Sequence, residues 1–195
     1  LYVEKVLDNV KVEAAFQYTT GEAQDRIRCY ANNAYNPGGG THMSGFRTAI
    51  TRALTAYGNK EGLFKNITPQ GEDYREGLTA VVSVAVPEPQ FESQTKIRLN
   101  NPEVDGIVSS VVYEFLMQYL EENPKDAKKI MNKVIIAAEA REAATKAKKA
   151  LKDRKNILSG AGLPGKLMDC TTRERDESEL FLVEGNSAGG SADNG

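Results

Sequence analysis

Apolar and polar side chains alternate along the first part of the chain, on both sides of a break at residues 20–23. The apolar positions are Val10, Val12, Ala14, Phe16 and Tyr18 before the break, and Ile27, Cys29 and Ala31 after it. A period of two is typical of a β-strand with one buried face. The pattern therefore predicts two strands joined as a hairpin at the break.

A further strand is predicted from a Val-rich run, Leu78 to Val86. A run so rich in valine is typical of a buried strand, and it ends at Pro87 because proline removes a ladder donor. Residues 87–101 then predict an exposed loop. Three consecutive glycines at 38–40 cannot sustain regular structure and predict another loop.

Helices are predicted where apolar residues recur at three- and four-residue spacing. The first spans 44–58, with Ser44 available as its N-cap and Gly58 at its end. The second spans 103–123. The third begins at Pro124, where the missing N–H is not needed, and runs to about residue 155 without Gly or Pro. At 1.5 Å per residue it would be about 45 Å long.

The composition, 195 residues with 40% hydrophobic and 27% charged side chains, is that of a globular protein. The longest uncharged apolar run has about ten residues, half of what a membrane helix needs, so a membrane span is excluded. The chain begins without Met and lacks a secretory signal, which suggests an excised piece of a cytoplasmic protein. Cys29 and Cys170 have no metal-site spacing and are expected to be reduced thiols.

Charge is segregated along the chain. Residues 125–155 hold eleven basic and four acidic residues, a net charge of +7, and the remainder holds 14 basic and 23 acidic residues, a net charge of −9. A basic segment attracts polyanions such as nucleic acid, although a solvated helix face has the same composition. Cations near the end of a helix also complement its dipole.

Three further features could carry chemistry. Gln94 and Lys96 lie in the predicted loop QFESQTKIRLNN, where a lysine and an amide could bind a terminal phosphate, or simply form a surface loop. Glu184 precedes a Gly-rich turn and could ligate a divalent cation, but the spacing fits neither a phosphate loop nor a nucleophile elbow. His42, the sole histidine, has no nucleophile partner and is expected to hydrogen-bond the backbone.

Taken in order, several segments closely resemble the DNA gyrase B family, the B subunits of bacterial DNA gyrase and of its paralogue topoisomerase IV. They are GGGTHMSGFRTAITRAL, REGLTAVVSVAVPEPQFESQTK, AREAATKAKKA, LPGKLMDC and ESELFLVEGNSAGGSA. The resemblance implies an α+β fold: a mixed sheet with helices on one face, ribosomal-protein-like with a left-handed βαβ crossover, followed by long helices. It also implies a transducer domain at 1–160, a linker at 161–177 and the truncated start of a TOPRIM domain at 178–195.

The resemblance implies site residues as well. Gln94 and Lys96 match residues that contact the terminal phosphate of ATP bound in a preceding domain. Glu184 matches the first acidic residue of the TOPRIM site, which acts with Mg²⁺ and downstream aspartates in cleaving and rejoining DNA. Asn186 departs from the family pattern, where an aspartate is expected, and this weakens an acidic role at that position only.

The partners implied are double-stranded DNA, the A subunit of gyrase and, on ATP binding, a second copy of the B subunit, with no membrane. The DNA contacts fall on the basic helix at Arg141, Lys146, Lys148, Lys149 and Lys152. The function implied is ATP-dependent negative supercoiling by the full complex, while this part alone is expected to be inactive. The B subunit of topoisomerase IV, an enzyme that relaxes and decatenates DNA, and a non-catalytic DNA-binding scaffold remain the alternatives.

Overall fold

The computed structural model describes residues 1–19, 24–64 and 67–158 and the single residue 176, with only the backbone described for 152–158. The chain divides into two compact units, residues 1–144 and 145–195. The first unit contains the whole β-sheet and the first two helices. In the second, the described backbone is the continuation of the third helix to Leu158.

Five strands form one sheet in the order β1-β2-β5-β3-β4. The elements along the chain are β1 (Tyr2–Leu7), β2 (Val10–Tyr18), β3 (Arg26–Ala31), β4 (Ala34–Tyr35), α1 (Thr41–Lys60), a short 3₁₀ turn (Asp73–Arg75), β5 (Leu78–Ala85), α2 (Pro102–Glu122) and α3 (Pro124–Leu158). β3 and β5 pair in parallel and the other neighbours are antiparallel. The mixed α+β fold is confirmed, while the left hand of the β3–β5 crossover stays a prediction.

The predicted hairpin between β2 and β3 is wrong. These strands do not pair, because β5 lies between them and bonds to both. The hairpins instead turn at Asp8–Asn9 and at Asn32–Asn33, where all four residues have φ between +48° and +63°. Two-residue turns of this kind match the twist of antiparallel strands and favour Asn and Asp. Alternation predicts which face a side chain takes, but it does not identify the neighbouring strand.

One face of the sheet is buried under α1 and α2. Along β5 the positions from Leu78 to Val84 alternate, with every second residue at most 2% exposed. Val81, on the opposite face, is 42% exposed. The predicted strand is therefore present, and β5 is central in the sheet but buried on one face only.

The bounds of α1 also differ from the prediction. The helix begins at Thr41 with Gly40 in the N-cap position, so Ser44 lies in its first turn. Gly58 lies inside the helix rather than at its end. A Cβ at Gly58 would come within 2.3 Å of the Phe64 ring, so this glycine makes room for a neighbour and does not terminate the helix.

α1 packs closely against α2 at Gly45. A Cβ on Gly45 would lie 2.3 Å from the carbonyl oxygen of Asp105, so the two backbones approach as only a glycine allows. α2 begins and ends within a residue of its predicted bounds, and α3 starts at the predicted Pro124. Among the described helices, none is long and apolar enough to cross a bilayer.

Candidate functional site

The β5–α2 loop, residues 86–101, is ordered as a small hairpin of its own. The Asn100 amide donates to the Gln90 carbonyl (2.8 Å), and the Glu92 amide donates to the Arg98 carbonyl (3.0 Å). These bonds join the two limbs of the loop beneath its tip. The backbone at the base of the tip is therefore fixed, although the side chains above it are in solvent.

The tip presents the two residues that the resemblance assigns to ATP. Gln94 and Lys96 are both exposed. Lys96 has φ +54°, and its amide donates to the Ser93 carbonyl (3.0 Å), which closes the turn. Its ammonium lies 5.7 Å from the centre of the Phe91 ring, and no ion pair found in the described part of the chain includes it. An exposed cation–π contact stabilises by only about 0.5–1 kcal/mol, so the ammonium is available to an anion.

Residues 36–41, here called the glycine segment, run beside the second limb of this loop. The Leu99 amide donates to the Gly39 carbonyl (3.0 Å), and the Thr41 amide donates to the Leu99 carbonyl (3.0 Å). Gly40 has φ +134°, and a Cβ there would lie 2.1 Å from the Leu99 carbonyl oxygen. Only glycine fits this approach. The glycines predicted as a plain loop thus connect the hairpin to the first turn of α1.

Three asparagine side chains hold the loop in place, two from the body of the protein and one from the end of the loop itself, and the sequence patterns did not reveal them. The bonds are Asn32 with both backbone groups of Val86 (2.7 and 2.9 Å), Asn36 to the Lys96 carbonyl (2.6 Å), and Asn101 with the Gln90 amide (2.7 Å) and the Glu88 carbonyl (3.0 Å). Asn36 and Asn101 are buried. Asparagine between glycines and prolines indicated turns, but carried no signal for these distant partners.

His42 does not make the expected backbone hydrogen bond. Its side chain is fully buried in the first turn of α1, and neither ring nitrogen has a partner among the described residues. Burial lowers the pKa of His42 to about 4 because the imidazolium would lose its hydration. The ring is therefore neutral in the folded protein at pH 7.

The folded state should lose stability on acidification because of His42. The unfolded chain takes up a proton below its ordinary pKa of about 6.5, whereas the folded chain resists until about pH 4. Between pH 7.5 and pH 5 this difference corresponds to about 2 kcal/mol of unfolding free energy. We expect urea unfolding of wild type and His42→Leu to diverge by that amount as pH falls, with wild type losing more. Parallel stability curves would contradict the assignment, since the carboxylates are common to both proteins.

The five predicted DNA-binding cations differ in their surroundings. Arg141 donates through Nε to both carboxylate oxygens of the buried Asp73 (3.1 Å each) and through a terminal nitrogen to the Thr68 carbonyl (3.1 Å). It therefore has a structural role within the first unit. In the second unit, Lys146, Lys148 and Lys149 are exposed. Lys148 lies about 200° around the helix from Lys146, so the lysines do not form one stripe.

Glu184, Asn186, Cys170 and the side chain of Lys152 lie outside the described residues, and their predicted roles stay predictions. Cys29 is a free, buried cysteine. Burial raises the pKa of its thiol to about 12, so it stays protonated. Within the ranges that the structure describes, no cluster of His, Cys, Asp and Glu could hold a metal ion.

The chain is similar to named proteins along its whole length. A family model described as DNA gyrase B matches residues 1–150. The DNA gyrase B subunit of Cytophaga hutchinsonii is 52% identical over 197 residues, which cover 100% of this chain and 41% of that protein. The DNA gyrase B subunit of Clostridium acetobutylicum is 49% identical over 198 residues, covering 100% of this chain and 31% of that protein. The chain thus spans about two fifths or less of these relatives.

Solved structures show the same fold. The 43K ATPase domain of Thermus thermophilus gyrase B, crystallised with an aminocoumarin, matches with a TM-score of 0.70 at 44% identity, over 77% of this chain and 40% of that one. The topoisomerase IV ATP-binding domain of Francisella tularensis, in complex with a small-molecule inhibitor, matches with a TM-score of 0.67 at 29% identity. That match covers 72% of this chain and 39% of the other.

Proposed function

The chain belongs to the DNA gyrase B family, and from that membership we propose that it forms the part of an ATP-dependent type II topoisomerase that detects the terminal phosphate of ATP. Gln94 and Lys96 at the tip of the β5–α2 loop are the detecting groups. The ATP itself binds to a part of the protein that precedes these residues. The observation that carries the proposal is the tip itself, an amide and an uncommitted ammonium exposed on a hydrogen-bonded hairpin.

This pair of groups suits a terminal phosphate. A lysine ammonium has three donors and acts as a point charge, and hydrogen bonds between it and a phosphate oxygen are roughly twice as strong as neutral ones. The Gln94 amide adds a neutral donor that gives direction. Because the loop backbone is held beneath the tip, the binding energy is not spent on ordering a long flexible segment.

Loss of the terminal phosphate would release the tip. The loop bonds to the glycine segment, this segment leads into α1, and α1 contacts α2 at Gly45. A force on the tip is therefore transmitted to two packed helices rather than absorbed locally. In this proposal ATP holds the loop in place and keeps the dimer gate closed, and hydrolysis biases the domains towards opening.

Lysine reactivity tests the proposal directly. In the full-length protein, a non-hydrolysable ATP analogue should slow acetylation of Lys96 by an amine-reactive reagent at least about fivefold, because a phosphate-bound ammonium is protonated and covered. ADP should not protect it. Lys129, whose side chain is 79% exposed, is the internal control and should react at the same rate without nucleotide, with the analogue and with ADP. Mass spectrometry of the peptides gives both rates, and equal Lys96 reactivity with and without the analogue would refute the proposal.

A second element of the proposal is that Lys146, Lys148 and Lys149 contact the phosphates of a passing DNA duplex. Exposed cations on a helix bind DNA without sequence preference and with a strong dependence on salt. Arg141 is not included, because its guanidinium is bonded to Asp73 and Thr68.

Charge reversal of these three lysines should lower the stimulation of ATPase activity by DNA about tenfold at low salt, since three phosphate contacts are lost. Reversal of Lys125, Lys128 and Lys129, which are exposed in the first turns of the same helix, changes the net charge equally and should leave stimulation within twofold. The measurement is ATP turnover against DNA concentration at two salt concentrations. Equal loss in both triple variants would show an effect of net charge rather than a contact.

The remaining elements follow from the family. We propose that the full protein works with Mg²⁺, the A subunit of gyrase and a second copy of itself in the cytoplasm to supercoil DNA negatively, and that Glu184 belongs to its DNA-cleavage centre. The boundaries 1–160, 161–177 and 178–195 are part of this proposal. Higher identity to the gyrase structure than to the topoisomerase IV structure, 44% against 29%, favours gyrase. A non-catalytic DNA-binding scaffold would show no nucleotide protection of Lys96.

A further inference from the structure

The carbonyl of Lys96 accepts a hydrogen bond of 2.6 Å from the side-chain amide of Asn36. We propose that Asn36 is a positioning residue for Lys96: it fixes the backbone from which the lysine projects and so sets where the ammonium is presented. The expected effect of Asn36 on ATP turnover rests on the proposed function. Its expected effect on the backbone conformation of Lys96 does not.

Asn36 is well placed to hold another residue still. The residue is only 1% exposed, and its backbone N–H donates to the Cys29 carbonyl in β3 (2.8 Å). It is therefore tied to the sheet on one side and to the loop tip on the other. The neighbouring Gly38 amide donates to the Ile97 carbonyl (3.0 Å), so consecutive carbonyls of the tip are bonded to the glycine segment.

Lys96 needs such support because its φ is +54°. The left-handed region is unfavourable for residues with a Cβ, and they stay there only when surrounding contacts hold them. Asn36 bonds to the carbonyl of the Lys96–Ile97 peptide group, and Gly38 bonds to the carbonyl of the next one. Without the Asn36 bond, the Lys96 carbonyl can rotate and the residue can return to a right-handed conformation. Its side chain would then leave in a different direction.

The Asn36 side chain uses one of its two polar atoms, whereas an asparagine that joins two parts of a loop uses both. The Oδ1 of Asn36 is buried and has no hydrogen-bond partner among the described residues. By contrast, Asn101 uses both ends of its amide, accepting from the Gln90 amide and donating to the Glu88 carbonyl. The side-chain hydrogen bonding of Asn36 is thus directed at Lys96.

Trypsin cleavage after Lys96 tests the positioning without nucleotide. To cleave there, trypsin must pull the Lys96 carbonyl away from Asn36. Asn36→Ala in the full-length protein should therefore be cut after Lys96 about tenfold faster than wild type, which is the factor expected for one lost hydrogen bond. Asn101→Ala is the matched control, which loses bonds on the other limb and should change this cleavage less than twofold. Asn36→Ser, smaller in its effect on packing, should behave as Asn36→Ala. Urea unfolding of each variant verifies that the protein is folded.

A double-mutant cycle on ATP turnover connects the residue to function. Asn36→Ala should lower kcat about tenfold with little change in KM, and it should have no further effect in a protein that already carries Lys96→Ala. A merely structural role would lower activity by the same factor in both backgrounds. Where Lys96→Ala alone lowers kcat, additive effects would therefore overturn the proposal.

The two measurements distinguish the possible failures. Unchanged cleavage after Lys96 in Asn36→Ala overturns the inference, whatever the kinetics show. Faster cleavage together with normal turnover in Lys96→Ala overturns the proposed function and leaves the control of the loop backbone by Asn36 standing. Faster cleavage with a non-additive loss of kcat supports both.

Discussion

Replacing Lys96 by alanine in the full-length protein is expected to lower the kcat of ATP hydrolysis about 100-fold. A preorganised cation that stabilises developing phosphate charge contributes roughly this factor in enzymes. The effect should appear mainly in kcat, because the rest of the nucleotide is bound elsewhere in the protein and KM depends on those contacts. Gln94→Ala should cost less, since its amide is neutral and forms weaker bonds to an anion. Steady-state ATPase assays with each variant measure both parameters.

Arg98→Ala provides the control for this experiment. Arg98 is an exposed cation on the same loop, two residues from Lys96, and its removal changes the net charge equally. Turnover close to wild type is expected. If both substitutions lower kcat to the same extent, the loop acts through its overall potential rather than through one directed ammonium. Turnover of Lys96→Ala within twofold of wild type would exclude a role in ATP hydrolysis.

The largest effect on stability is expected for Gly45→Ala. The added methyl would meet the Asp105 carbonyl oxygen at 2.3 Å and the Asp105 Cα at 3.1 Å, and both obstacles are backbone. Helices α1 and α2 would have to separate, exposing the apolar residues packed between them. Overpacking typically costs 1–3 kcal/mol, and we expect at least about 3 kcal/mol because no side chain can move aside. Urea or thermal unfolding of the purified chain gives the value.

Gly106→Ala is the matched substitution, one residue after the contacted Asp105. A Cβ at Gly106 has no heavy atom within 4 Å, and the site lies in a helix. Alanine there should raise the unfolding free energy by about 0.5–1 kcal/mol, because glycine has the greater conformational entropy when unfolded. Destabilisation by both substitutions would mean that the close approach at Gly45 is not the cause.

The helices and strands were largely predictable from the sequence, whereas the arrangement of the strands was not. Helical periodicity located α2, a stretch without Gly or Pro after Pro124 located α3, and a Val-rich run located β5, each within a few residues. It could not identify β5 as the partner of both β2 and β3. Strand order depends on which surfaces meet after α1 crosses over, and this information is not local. The Asp8–Asn9 turn was a readable signal, since both residues tolerate positive φ.

In the candidate site too, the sequence indicated the exposed residues but not the hydrogen bonds that hold them. Gln94 and Lys96 were identified as phosphate-binding candidates by resemblance to a family. The exposure of their loop was predictable from its prolines and polarity. The hydrogen bonds that hold the loop join residues as many as 60 positions apart, as in the Asn36–Lys96 pair. The partner of Arg141 was equally hidden, because a charge count does not distinguish a solvated cation from one bonded to a buried carboxylate such as Asp73. Distances of this kind depend on the finished fold.

The central place of β5 has a consequence for synthesis on the ribosome. The two hairpins, β1–β2 and β3–β4, emerge early, yet β2 and β3 each keep an edge unsatisfied until the later strand arrives. At 5–20 residues per second, translation of the intervening stretch takes roughly several seconds. Unpaired edges are templates for pairing between chains. The nascent protein is thus most prone to aggregate before residue 85 leaves the exit tunnel, and chaperone protection would matter most in that interval.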